Sequence, residues 1–183
     1  MSRAKNCASL AVVFLLWFQP VSYCQNITGE PSIGQVVVAA DPIVDVYGNL
    51  LIFKTDFSTA AGLETEVTLI SSAGQETKNS YPGMFSRIKR GEAAVYAIEG
   101  EPGASAGASE TLNLVALVTG QGSLPAAVVQ QPVSGKIDIM KIARGTGTDV
   151  IYLVHTTSAG RFVLIYTFNG TAFLSVGGPI PLS

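Results

Sequence analysis

Alternation of apolar and polar side chains with a period of two runs through nearly every patterned segment of this chain, and no stretch carries a sustained helical stripe. A chain patterned this way must pair its segments side by side, because only a sheet turns alternate residues to opposite faces. In Thr111–Thr119, Leu112, Leu114, Ala116 and Val118 fall on one side. In Arg161–Phe168, Phe162, Leu164, Tyr166 and Phe168 share one face, and Val163, Ile165 and Thr167 share the other. Such a strand is expected to be covered on both faces. Further strands are expected at Gln35–Ala40, Leu50–Phe53, Glu66–Ile70, Ala94–Ile98, Lys136–Ile142 and Asp149–Val154, all rich in Val, Ile, Tyr and Phe.

The turn residues agree. Asn169-Gly170 between Arg161–Phe168 and Thr171–Val176 predicts a hairpin with a type I′ turn, and Ser158-Ala159-Gly160 predicts the turn before it. This C-terminal hairpin should be central, with Phe162 and Phe168 in the core. The run Gly100–Ser109 has no large apolar anchor and reads as an exposed flexible loop. Gly48, Gly91 and Gly135 each open a strand at a spacing of about 44 residues, near the period of four-stranded propeller blades. The chain has length for three such blades and a fraction, fewer than the four or more of a closed propeller. The fold class is therefore all-β with little helix, a single-domain antiparallel β-sandwich or closed β-barrel, with propeller-like blades as a minor alternative.

The N-terminus reads as a leader. Basic Arg3 and Lys5 precede the apolar run Leu10–Phe18, then Pro20 and a short polar stretch, with Ser22 and Cys24 placed for signal-peptidase cleavage after Cys24. The run is too short for a membrane anchor. Residues 1–24 are thus expected to be a secretory signal peptide, 25–34 a flexible arm, and 35–183 a single β-rich domain of a size that supports its own core. Both cysteines, Cys7 and Cys24, lie in the leader, so the exported domain should be disulfide-free and offer no thiolate chemistry. The formal net charge of −2 becomes more negative once Arg3 and Lys5 are removed, which argues against nucleic acid as a partner. With 48% hydrophobic and 13% charged residues, the chain is not a disordered secreted polymer.

Candidate sites are few. Asn26-Ile27-Thr28 and Asn169-Gly170-Thr171 are glycosylation sequons. Arg87-Ile88-Lys89-Arg90 resembles the basic recognition sequence of furin-like proprotein convertases, which cut after the final arginine; the same residues suit a solvated strand edge, where basic side chains discourage pairing. His155, the single histidine, follows a strand and has Asp138 and Asp149 as conceivable cross-strand partners, though an ordinary strand-end histidine is the simpler reading. Asp41, Asp45 and Asp56 lack metal-ligand spacing and read as loop or strand-end positions. No H-E-x-x-H, G-x-S-x-G, P-loop or calcium-loop pattern occurs, so catalysis has no positive support and no cofactor or metal is expected.

The leading expectation is a secreted, non-catalytic binding, adhesive or structural domain that recognises an extracellular protein or a glycan through its loops. A second is a small barrel carrying an apolar ligand; the Gly-x-Trp signature of lipocalins is missing, since Trp17 is the one tryptophan. A third follows from the stretch from Pro132–Lys136 through Ala143–Gly145, about 14 residues that resemble part of the C-terminal region of dirigent proteins. That resemblance implies a barrel guiding a reactive small molecule and carries no site residue over. A cavity of about 300 Å³ or more with a few polar groups inside the fold favours the carrier or the barrel enzyme, and a side-chain-filled core favours recognition by the outer surface.

Overall fold

The computed structural model describes residues 37–56, 63–100, 111–145 and 148–183. Among them there is no helix, and fourteen strands form three antiparallel sheets, none closed into a barrel. The first sheet holds β1 (Val37–Ala39), β2 (Ile43–Val44), β3 (Leu50–Asp56), β4 (Glu64–Ile70) and β5 (Glu76–Pro82), in the order β1-β3-β4-β5 with β2 also on β3. The second is the meander β6 (Met84–Arg90), β7 (Val95–Gly100), β8 (Thr111–Leu117) and β9 (Val129–Ser134). The third is β10 (Lys136–Gly145), β11 (Thr148–Thr157), β12 (Gly160–Phe168) and β13 (Phe173–Ser175), with β14 (Ile180–Pro181) also on β12. All of these strands lie within one compact unit, Gly34–Ser183.

Period-two alternation on the second sheet feeds two cores at once. Val95, Ala97, Val115 and Leu117 pack against Leu51, Phe53, Val67, Leu69 and Tyr81 of the first sheet. Their neighbours Tyr96, Ile98, Leu114 and Ala116 pack against Ile137, Met140, Ile151, Leu153 and Phe168 of the third. The middle sheet is therefore the one covered on both faces, and its near-continuous burial from Ala94 to Ile98 is the signature of that position. The expectation that Arg161–Phe168 is covered on both faces is corrected here. Its Tyr166 and Phe168 face the core, but no described sheet packs on the side that carries Val163 and Ile165. On that same outer face Tyr152 is 39% exposed, Ile139 41% and Ile180 49%.

The sheets are joined by corners of a single residue. Gly83 (φ +81°) carries β5 into β6, and Gly135 (φ +83°) carries β9 into β10. A left-handed residue between two strands bends the chain sharply at little steric penalty only when it is glycine. These corners also argue against propeller blades. An outer blade strand must cross the sheet to reach the inner strand of the next blade, and one residue spans about 3.8 Å. Gly48 and Gly91 do precede β3 and β7, second strands of their meanders, but Gly135 is a corner, so the three glycines are not equivalent.

The C-terminal hairpin forms, with Phe168 opposite Phe173, through a longer turn than a two-residue type I′ loop. Residues 169–172 make the connection: the Asn169 side chain accepts from Thr171 N (3.0 Å) and Ala172 N (2.9 Å), and only Gly170 takes a positive φ. The two-residue turn Ser158-Ala159 joins β11 to β12 as the sequence predicts.

Candidate functional site

Three loops meet at one end of the first and second sheets, and a buried carboxylate joins two of them. Asp45 is 2% exposed and stands at the start of a tight turn. Its Oδ1 accepts from the backbone N–H groups of Tyr47 and Asn49, both at 2.9 Å, in the manner of an Asx turn. Its Oδ2 accepts from the Asn49 amide (2.8 Å) and from the Thr119 hydroxyl (2.7 Å) of the second sheet's following loop. Asn49 Nδ2 also donates to Gly120 O at 3.0 Å, and Thr77 Oγ1 to Gly122 O at 3.2 Å, so the loop around residue 120 is tied to the first sheet at two points. The third wall is the turn between β4 and β5. There Ser71 N donates to Gln75 O (2.8 Å) and Gln75 N to Ser71 Oγ (3.1 Å).

Between these loops lies a cleft of about 310 Å³ that opens to solvent, lined by Tyr47, Asn49, Ser71, Ser72, Ala73, Gln75, Gln121 and Gly122. None of these described lining residues is charged. Tyr47 is 49% exposed, while Asn49 at the base is buried. The arrangement offers an aromatic face, amides and hydroxyls on a backbone fixed by hydrogen bonds, and no nucleophile with a base beside it.

A second buried carboxylate lies between the second and third sheets. Asp149, fully buried on β11, accepts from Glu92 N (2.9 Å), Ala93 N (2.8 Å) and the Tyr96 hydroxyl (2.7 Å). Burial first, and then this carboxylate, raise the Tyr96 phenol far above its usual range. A third, Glu99 on β7, takes hydrogen bonds on Oε2 from Asn113 Nδ2 (3.0 Å) and Gln130 Nε2 (2.8 Å). Desolvation pushes its carboxyl up.

The residues singled out from the sequence are dispersed. Asn169 is exposed in the β12–β13 turn, where its Oδ1 also accepts from Thr171 Oγ1 of the same sequon. Asn26, the leader and the arm lie outside the described residues, as does all of the Gly100–Ser109 loop except Gly100. Arg87, Lys89 and Arg90 sit on β6, an edge strand of the second sheet, with Lys89 opposite Tyr96 and Arg90 opposite Val95. Arg87 adopts φ +52° within the bulge between Ser86 and Lys89, and Arg90 Nε is buried without a partner. His155 pairs with neither aspartate considered for it. Its Nδ1 is 3.0 Å from Ser134 O, its Nε2 is buried without a partner, and its ring leans on Phe162. Asp138 instead binds Thr156 (2.7 Å) and Arg161 (3.3 Å). The Thr156 hydroxyl foremost, with Arg161 and Lys136, holds its carboxyl below the usual range.

Sequence reasoning missed the cleft. Asp45 was read as a loop position; the signal available was the spacing of Asp45, Gly48 and Asn49, which suits a side-chain-capped turn. Among the described residues no group of three His, Cys, Asp or Glu side chains is placed to hold a metal ion. No family model matches this chain, and neither a curated protein nor a solved structure matches it.

Proposed function

We propose that this chain is an exported, non-catalytic recognition domain and that recognition falls on the cleft bounded by Tyr47, Ser71–Gln75 and Gln121. The observation that carries this reading is an uncharged opening between three polar loops, two of them joined by the buried Asp45 carboxylate, with the loop around residue 120 also bonded to Thr77 on β5. Preorganised loops on a rigid scaffold lose little entropy on binding. The carrier and dirigent-like readings find less support, because both need a closed barrel and none of the three described sheets closes into one.

Export follows from the leader at 1–24, and an extracellular setting makes Asn26 and Asn169 acceptors for glycans. Cleavage after Arg90 belongs to the same setting but has the weaker basis, since β6 is hydrogen-bonded to β7. The test is secretion of the full chain from a eukaryotic host, with intact mass giving the start near Gln25. The secreted protein is then screened against arrays of extracellular proteins and glycans. Partner capture that is lost with Gln121→Ala or Tyr47→Ala supports the reading; capture indifferent to both variants, or retention of Met1 in the secreted protein, overturns it.

A further inference from the structure

We infer that the cleft takes an uncharged saccharide unit, with the Tyr47 ring as its stacking face and the Gln75 and Gln121 amides as its hydroxyl partners; this rests on reading the cleft as the recognition site. Charge makes the first selection. Among the described residues neither a carboxylate nor a cation lines the opening, so a charged ligand entering it would shed water and find no counter-charge there. An apolar ligand is equally ill served, because amides and hydroxyls would lose water without a partner.

A sugar hydroxyl both donates and accepts, which is what side-chain amides and serine hydroxyls require of a partner. The C–H edges of a sugar ring carry slight positive charge and suit the negative face of an aromatic ring, and the half-exposed Tyr47 offers such a face at the rim. Its backbone is held by Asp45 Oδ1, so the ring is presented from a fixed point. Asn49 at the base has both amide protons committed, to Asp45 and to Gly120 O, so it shapes the floor while the two glutamines supply the donors. At about 310 Å³ the space is at the small end of ligand sites, and its open mouth lets the remainder of a glycan extend into solvent. A terminal unit fits this geometry.

The experiment uses the secreted full chain against immobilised oligosaccharides ending in neutral hexose or N-acetylhexosamine. Sialylated and sulfated versions and an array of extracellular proteins run in parallel. Neutral glycans should be retained, Tyr47→Ala should weaken retention ~10-fold or more, and Tyr47→Phe should preserve it, since stacking needs the ring and not the hydroxyl. Gln121→Ala should weaken retention in the same direction, with all three variants keeping the wild-type thermal midpoint because both side chains are at the surface. Capture of anionic glycans alone, or neutral-glycan binding indifferent to Tyr47→Ala, overturns the inference. Capture of a protein, but no glycan, that is lost with Tyr47→Ala also overturns it while leaving the recognition reading intact. Binding indifferent to every cleft variant overturns both.

Discussion

The Tyr96 hydroxyl of the second sheet donates to the Asp149 carboxylate of the third at 2.7 Å, across an interface otherwise built of aliphatic and aromatic side chains. The carboxylate completes its set with two backbone N–H groups of the β6–β7 turn, and a Cβ on Gly91 would collide with both partners. A polar tie with every oxygen engaged fixes the register of two sheets whose apolar contacts alone would permit sliding.

Asp149→Ala should therefore destabilise far more than Tyr96→Phe. The alanine leaves the buried Tyr96 hydroxyl without its acceptor, at about 1–3 kcal/mol, and frees the part-buried Glu92 and Ala93 N–H groups as well, whereas the phenylalanine loses one hydrogen bond worth about 1 kcal/mol. Urea unfolding midpoints give the comparison, and equal losses would show that the carboxylate is not the organising group.

Glu99 sets a pH dependence. Desolvation raises its folded-state pKa above the unfolded value, so folding favours the neutral carboxyl. That stabilisation is complete below the unfolded glutamate pKa and is lost as pH rises through the raised folded value. Glu99→Gln keeps an oxygen for Asn113 and Gln130 without the buried charge. Its thermal midpoint should match wild type at acid pH and exceed it increasingly towards neutrality; a constant offset across the range contradicts this.

Gly135 and Gly170 share a positive φ but differ in their surroundings. A Cβ at Gly135 would lie 2.6 Å from Thr156 O, while at Gly170 nothing lies within 4 Å. Gly170→Ala should cost about 1–2 kcal/mol of backbone strain, and Gly135→Ala should cost that plus the displacement of β11. Chemical denaturation of the two variants side by side tests the corner.

Phe168 is fully buried, edge-on to Tyr96 at 5.7 Å and 4.8 Å from the Phe173 ring. Phe168→Ala should cost about 3–5 kcal/mol. Phe162, expected from the sequence to be its equal, is only half-buried beside His155, so Phe162→Ala should cost clearly less. Matching losses would place the third sheet's core further towards the β11–β12 turn than described.

The legible strands are those with a sustained supply of large apolar and β-branched side chains, such as β8 and β12. β5, β6 and β9 are sheet edges whose sequences lack that supply. In β5 only Tyr81 is buried, β6 carries the basic run at Arg87–Arg90, and β9 contains Pro132, which an edge tolerates. β12 reads as apolar on both faces, yet no described sheet covers its outer face; the sequence distinguishes an apolar face from a polar one but not a covered face from a bare one. The cleft was illegible for another reason. Its walls come from turns some 25 to 75 residues apart, each made of common turn residues, and long-range contacts such as Asp45–Thr119, Asn49–Gly120 and Thr77–Gly122 bring them together.

Because the second sheet lends one face to each core, the molecule has no dispensable third. Removing the first sheet would bare Val95, Ala97, Val115 and Leu117, and removing the last would bare Tyr96, Ile98, Leu114 and Ala116. Such a chain cannot lose a sheet as a repeat protein loses a repeat. Substitution is best tolerated in the turns, and among those turns are the ones that form the opening around Tyr47.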